Sequence, residues 1–145
     1  MQTSYLLMVL AAGSGLAFQA PVNARLREFA GSPVLGALIS FCVGTALLFA
    51  MAIGSGAFAS GTRLRSAPGW VFIGGAFGVV YVIAAMVAAP RIGSGMLLAA
   101  TVTGQLVAAL AIDHYGWFGL AVTPMSAKRM AGAVLLAGAL WCLRK

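Results

Sequence analysis

The stretch GLAFQAPVNARL, residues 15–26, is apolar up to Gln19 and then sets two amides, a proline and a cation between residues 19 and 25. In water these residues would read as the start of a loop. In hydrocarbon they read as the polar part of a spanning helix, so the solvent has to be settled first. The 145 residues are 62% hydrophobic and 8% charged, with a mean hydropathy of +1.03. A soluble domain carries about 25% charged residues because its surface must face water. Too few polar groups exist here to coat a globule, so the chain is read as an integral membrane protein with membrane lipid as its first partner.

The net charge of +7 does not argue for nucleic acid. The nine cations lie between apolar runs without forming a basic block, the pattern of interfacial anchors and topology determinants. Cys42 and Cys142 give neither a disulfide framework nor a metal spacing and read as small apolar fillers. Residues 6–18 could pass for a signal-peptide core, but MQTSY has no positive n-region, so the first segment is expected to be a retained span.

A hydrocarbon core of about 30 Å takes about 20 helical residues at 1.5 Å each. Five segments meet this length, roughly residues 3–24, 32–54, 68–89, 94–116 and 126–143. Ser32 and Pro33 suit the start of the second, and Pro124 with Ser126 the start of the fifth. The connections RLREFAG, SGAFASGTRLRSA and PRIG carry the Arg and Gly that spans avoid, while GWFGLAVTPM suits the membrane interface. Trp70, Trp117 and Trp141 fall at or near span ends, where an amphipathic indole sits best. With no strand pattern, the expected fold is an all-α membrane protein, a single five-helix transmembrane domain over residues 1–145.

Alternating the connections between faces puts Arg63, Arg65, Lys128 and Arg129 on one side, and Arg25, Arg27, Arg91, Arg144 and Lys145 on the other. An ordinary inner-membrane protein concentrates Lys and Arg in its cytoplasmic loops. This near-even division leaves two readings open. Either a single orientation is set by details outside the count, or the chain inserts both ways and pairs with its own inverted copy. The second gives a ten-helix antiparallel homodimer of the inverted-repeat type on which many transporters are built. Gly132 and Gly138 in the fifth span, like the Gly74–Gly78 pair in the third, permit the close backbone approach that drives association in lipid.

Gly15, Gln19 and Asn23 are four apart and share one stripe of the first helix, bordered by Ser14 and Phe18. An unpartnered amide is costly in hydrocarbon, so Gln19 should face protein or water. One reading has the helix opening near Pro21, with Gln19 and Asn23 capping freed backbone or meeting a solute. The other gives the amides an interhelical hydrogen bond worth about 0.6–2 kcal/mol. In the fourth span Thr101 and Gln105 are four apart near the middle, where transporter sites occur. The candidate substrate-binding residues are therefore Ser14, Gln19, Asn23, Thr101 and Gln105, with Thr45 and Thr103 weaker. Asp113, at a helix C-terminus, calls for a fixed cation. Arg91 of an inverted copy is the expected partner, because Arg91 of the same chain falls on the other face.

The segments FQAPVNARL, SPVLGALISFCVGT, APRIGSGMLLAATVTGQL and DHYG resemble the signature segments of the YdcZ-like branch of the drug/metabolite transporter superfamily. The resemblance covers nearly the whole chain. It implies a bacterial inner-membrane, multi-pass protein that forms an antiparallel dimer of five-helix subunits, encoded as one dual-topology chain, a pair of chains or a fused double-length chain, and the near-even cation count fits the first form. Small multidrug exporters, which the chain resembles in size, rely on a carboxylate in the first helix. Here that helix offers Gln19, so simple proton/cation exchange is not expected, and neutral, zwitterionic or amphiphilic solutes suit the linings better. No nucleophile–base pair, metal cluster or phosphate loop argues for an enzyme, and no cofactor, catalytic residue or metal ligand is expected. The expected function is dual-topology transport of an unidentified small-molecule substrate, the alternative being a non-transporting membrane scaffold or regulatory subunit.

Overall fold

The computed structural model describes residues 2–58 and 66–144, so Arg63, Arg65 and Lys145 of the charge count lie outside the described residues. Regular structure among the described residues is helical: α1 Gln2–Ala30, α2 Pro33–Gly54, α3 Gly74–Ile92, α4 Ser94–Tyr115 and α5 Ala127–Leu143. Single 3-10 turns over Gly69–Ile73 and Trp117–Gly119 precede α3 and follow α4. Two compact units result, one up to Arg91 and one from Ile92 onward.

Neither internal proline ends its helix. The expected opening of α1 near Pro21 is absent, and the helix runs past the expected end at residue 24 to Ala30. A proline removes one N–H and frees one carbonyl, whereas opening the helix in hydrocarbon would strand several backbone groups. What stops α1 is Gly31. Its φ of +71° turns the chain, and its N–H bonds the Arg27 carbonyl at 2.9 Å. Likewise α3 continues through Pro90 to Ile92, so the expected PRIG connection reduces to Gly93 with φ +79°.

The start of α2 follows the sequence reading. Ser32 is extended (φ −150°, ψ 135°), its hydroxyl accepts from the Leu35 N–H at 3.4 Å, and Pro33 opens the helix. Ser126 does the same for α5, accepting from the Arg129 N–H at 3.3 Å. Among the described residues four helical segments are long and apolar enough to cross a membrane. The expected fifth span differs: α5 has 17 residues, which at 1.5 Å each rise about 25 Å, less than the usual core thickness.

In the first unit the buried positions fall on one stripe per helix. On α1 they are Ala20, Asn23 and Ala24, with Arg27 half-buried one turn on; on α3 they are Val82, Ala85, Met86 and Ala89. On α2, Gly36 and Ala37 are buried and Ser40 is half-buried. Met86 is fully enclosed at 0% exposure, with Ala37 and Val82 against it. Gly36 makes this possible. A Cβ there would stand 3.2 Å from the Arg27 Cα and 3.3 Å from the Met86 sulfur. In the second unit α4 packs on α5, and Leu97 and Leu110 of α4 are buried. Large apolar side chains such as Leu10, Leu48, Phe77 and Leu135 point outward, as lipid requires. Cys42 and Cys142 are exposed too, so neither is a core filler.

The close approach at Gly36 predicts an asymmetric response to added methyl groups. Gly36→Ala should lower the stability of the purified protein by about 1–3 kcal/mol, an overpacking cost. Gly15→Ala, whose Cβ would meet nothing within 4 Å, should not. Thermal unfolding of both variants in detergent checks this.

Candidate functional site

Gln19, Asn23 and Arg27 are four apart on α1, as Gly36, Ser40 and Gly44 are on α2, so each set forms one stripe. Where the two helices pack, these stripes form a polar seam. At its lower end the Arg27 backbone closes on Gly36. In the middle Asn23, only 6% exposed, accepts a 3.1 Å hydrogen bond from the Ser40 hydroxyl through Oδ1. The upper end is open. Gln19, Ser40, Phe41, Gly44, Thr45 and Leu48 line an open recess of about 230 Å³.

The third helix is tied in at the lower end. Pro90 has no N–H, which leaves the carbonyl of Met86 without its helical donor. Arg27 supplies the missing bond: its Nη1 donates to the Met86 oxygen at 3.1 Å.

The expected substrate residues therefore separate into different roles. Gln19 is exposed and opens into the recess. Asn23 is buried and engaged, the interhelical hydrogen bond rather than a freed-backbone cap. Ser14 donates to the Leu10 carbonyl one turn back at 3.1 Å and lies outside the recess. Thr103 does the same with Ala99 at 2.7 Å. On α4, Thr101 is half-buried and Gln105 exposed. Ser40, Phe41, Gly44 and Leu48 were not expected. The four-residue spacing of Gly36, Ser40 and Gly44 was the available signal, but it reads as plain helix packing until the α1 amides are set against it.

In the second unit the cation expected beside Asp113 is Arg129 of the same chain. Its Nη1 is 3.2 Å from Asp113 Oδ2, with the side chains 31% and 37% exposed. This removes the reason to pair Asp113 with Arg91 of an inverted copy. The same guanidinium donates to the Thr123 carbonyl at 3.2 Å, and the Thr123 N–H donates to the Asp113 carbonyl at 2.8 Å. His114 is structural rather than merely solvated: its Nδ1 accepts from the Met125 N–H at 3.1 Å. Arg91 is exposed at the end of α3. A Cβ added at Gly132 or Gly138 would meet nothing within 4 Å, whereas one at Gly78 would touch Phe41 of α2 at 3.6 Å.

Apolar helices around a polar seam of two amides, a hydroxyl and one arginine define a multi-pass helical membrane protein. The comparisons give the family. The family model described as "Putative inner membrane exporter, YdcZ" matches residues 4–142, and the chain belongs to that family. It is 24% identical over 145 residues to the inner membrane protein YdcZ of Escherichia coli (strain K12), covering 99% of this chain and 97% of that one. No solved structure matches. Membership, with several apolar helices, makes the chain a multi-pass inner-membrane protein.

The seam predicts that the two amides of α1 respond differently to truncation. Asn23→Ala should destabilise the protein by about 1 kcal/mol, because the Ser40 hydroxyl loses its acceptor. Gln19→Ala should leave the unfolding midpoint within error of the parent. The two midpoints, measured side by side in one detergent, check this.

Proposed function

We infer that the chain is a membrane transporter for a small uncharged or amphiphilic solute, working by alternating access as an antiparallel homodimer. The observation that carries this reading is the recess beside Gln19. Its polar groups are a carboxamide and two hydroxyl-bearing side chains, flanked by the Phe41 ring, and none of them ionises near neutral pH. Such a lining rewards a solute that exchanges hydrogen bonds with an amide and leaves its apolar part on the ring. It gives no purchase for simple exchange of a proton against a cation. The family description, "Putative inner membrane exporter, YdcZ", supports a transport activity at the inner membrane.

The size of the recess supports the dimer. At about 230 Å³ and open on one side, it falls short of the roughly 300–1,000 Å³ of a complete small-molecule pocket, so a second surface has to close it. A near-even division of cations allows the same chain to insert inverted, and the open space beside Gly132 and Gly138 leaves room for a neighbouring helix. Two inverted subunits would form the pseudo-two-fold architecture in which rocking exposes one site to each side in turn.

The test uses the purified wild-type protein and a panel of small neutral amides, alcohols and zwitterions read by thermal shift. At least one compound should stabilise the protein. Gln19→Ala and Thr45→Val should each weaken that shift about tenfold in apparent affinity, the scale of one lost hydrogen bond, while the dimer persists. Ligands indifferent to both variants would reject the site. A reporter fused at the C-terminus should signal from both sides of the membrane, and signal from one side alone would reject the inverted homodimer.

A further inference from the structure

A second recess, of about 370 Å³, opens where α1 ends, and it plays no part in the transport reading. Ala24, Arg27, Glu28, Gly31 and Pro90 line it. Arg27 is half-buried there, and among the described residues no carboxylate forms an ion pair with it. The sequence has two side-chain carboxylates, Glu28 bonded to Arg25 and Asp113 to Arg129. One Arg27 N–H holds the Met86 carbonyl. A guanidinium carries five donors in a planar fork suited to phosphate, so several remain. Glu28 meets Arg25 through Oε2 alone, which leaves Oε1 with both lone pairs. That ion pair is 69% and 54% exposed, hence weak and readily shared.

A cation without an ion-pair partner among the described residues and a carboxylate engaged through one oxygen, on adjacent residues, thus border one opening. It sits at the C-terminal end of α1, a segment long and apolar enough to cross a membrane, and cationic residues at the ends of such segments anchor at lipid headgroups. Phe29 beside it is exposed, with the Arg25 guanidinium 4.9 Å from its ring centroid. An anionic group alone would meet repulsion from Glu28, and a cation alone repulsion from Arg27. A molecule carrying both satisfies both.

We propose that this recess binds a zwitterionic phosphate, with the phosphate on the Arg27 fork and a primary ammonium donating to Glu28. A phosphatidylethanolamine headgroup and free phosphoethanolamine share this chemistry. A choline headgroup lacks the N–H donors, and a glycerol headgroup lacks the positive charge.

Native mass spectrometry of the delipidated protein, offered equal amounts of phosphatidylethanolamine, phosphatidylcholine and phosphatidylglycerol with matched acyl chains, tests this. The ethanolamine lipid should be retained about tenfold over the other two, the scale of one charge-assisted hydrogen bond. Glu28→Gln, an exposed change that leaves the seam intact, should abolish the preference. Arg27→Lys, which keeps a donor for the Met86 carbonyl but loses the fork, should weaken retention of all three. Displacement of bound lipid by phosphoethanolamine would assign recognition to the headgroup alone; failure to displace it would assign the site to the intact lipid. Equal retention of the three lipids by the wild type, a preference that survives Glu28→Gln, or retention unchanged in Arg27→Lys would overturn the proposal.

Discussion

The first unit depends on one hydrogen bond, from Arg27 to the carbonyl that Pro90 leaves free on Met86. Met86 is 0% exposed, so no water reaches an orphaned carbonyl there, and a buried unpaired group costs about 1–3 kcal/mol. A proline inside a membrane helix therefore creates a demand for a donor from elsewhere. Here the donor arrives from α1, and its long side chain brings its own backbone against Gly36 of α2. Three helices meet at that point because one carbonyl had to be satisfied, and Met86 is sealed among them.

From this closed end the seam loosens in one direction. Arg27 against Gly36 is tight, Asn23 with Ser40 is a single hydrogen bond, and at Gln19 the seam is open. The spacing of four puts one residue on each level, so the amide at the open level can meet a solute while the level beneath holds the helices together. On the transport reading proposed above, an amide on the first helix suits uncharged cargo where a carboxylate would suit a cation. The mechanical logic of a polar group facing a cavity in the membrane stays the same.

Much of the architecture was legible in composition and punctuation. The apolar runs placed the five helices, Ser32 and Ser126 marked two starts, and the sign of the solvent followed from the scarcity of charge. The prolines misled. Pro21 and Pro90 each suggested a break, and whether a helix continues through a proline depends on a partner far along the chain, which no local pattern contains. Arg27 was legible only as an interfacial cation for the same reason. Asp113 announced its need for a cation through its place at a helix end. The choice of Arg129 required the return of residues 120–126 onto the end of α4, fixed by the bonds between Thr123 and Asp113 and between Met125 and His114. Of the candidate site, Gln19 could be singled out because an amide amid apolar residues is conspicuous. Ser40 and Gly44 could not, since small residues on a membrane helix signal close packing in general.

A double-mutant cycle at Arg27 and Pro90 measures the central bond directly. Pro90→Ala returns an N–H to α3 and gives the Met86 carbonyl its own helical donor, so Arg27→Gln should then cost much less stability than it does beside proline, with a coupling of about 1–3 kcal/mol. Strict additivity of the two changes would contradict the account, because it would mean that Arg27 does not serve the carbonyl the proline frees.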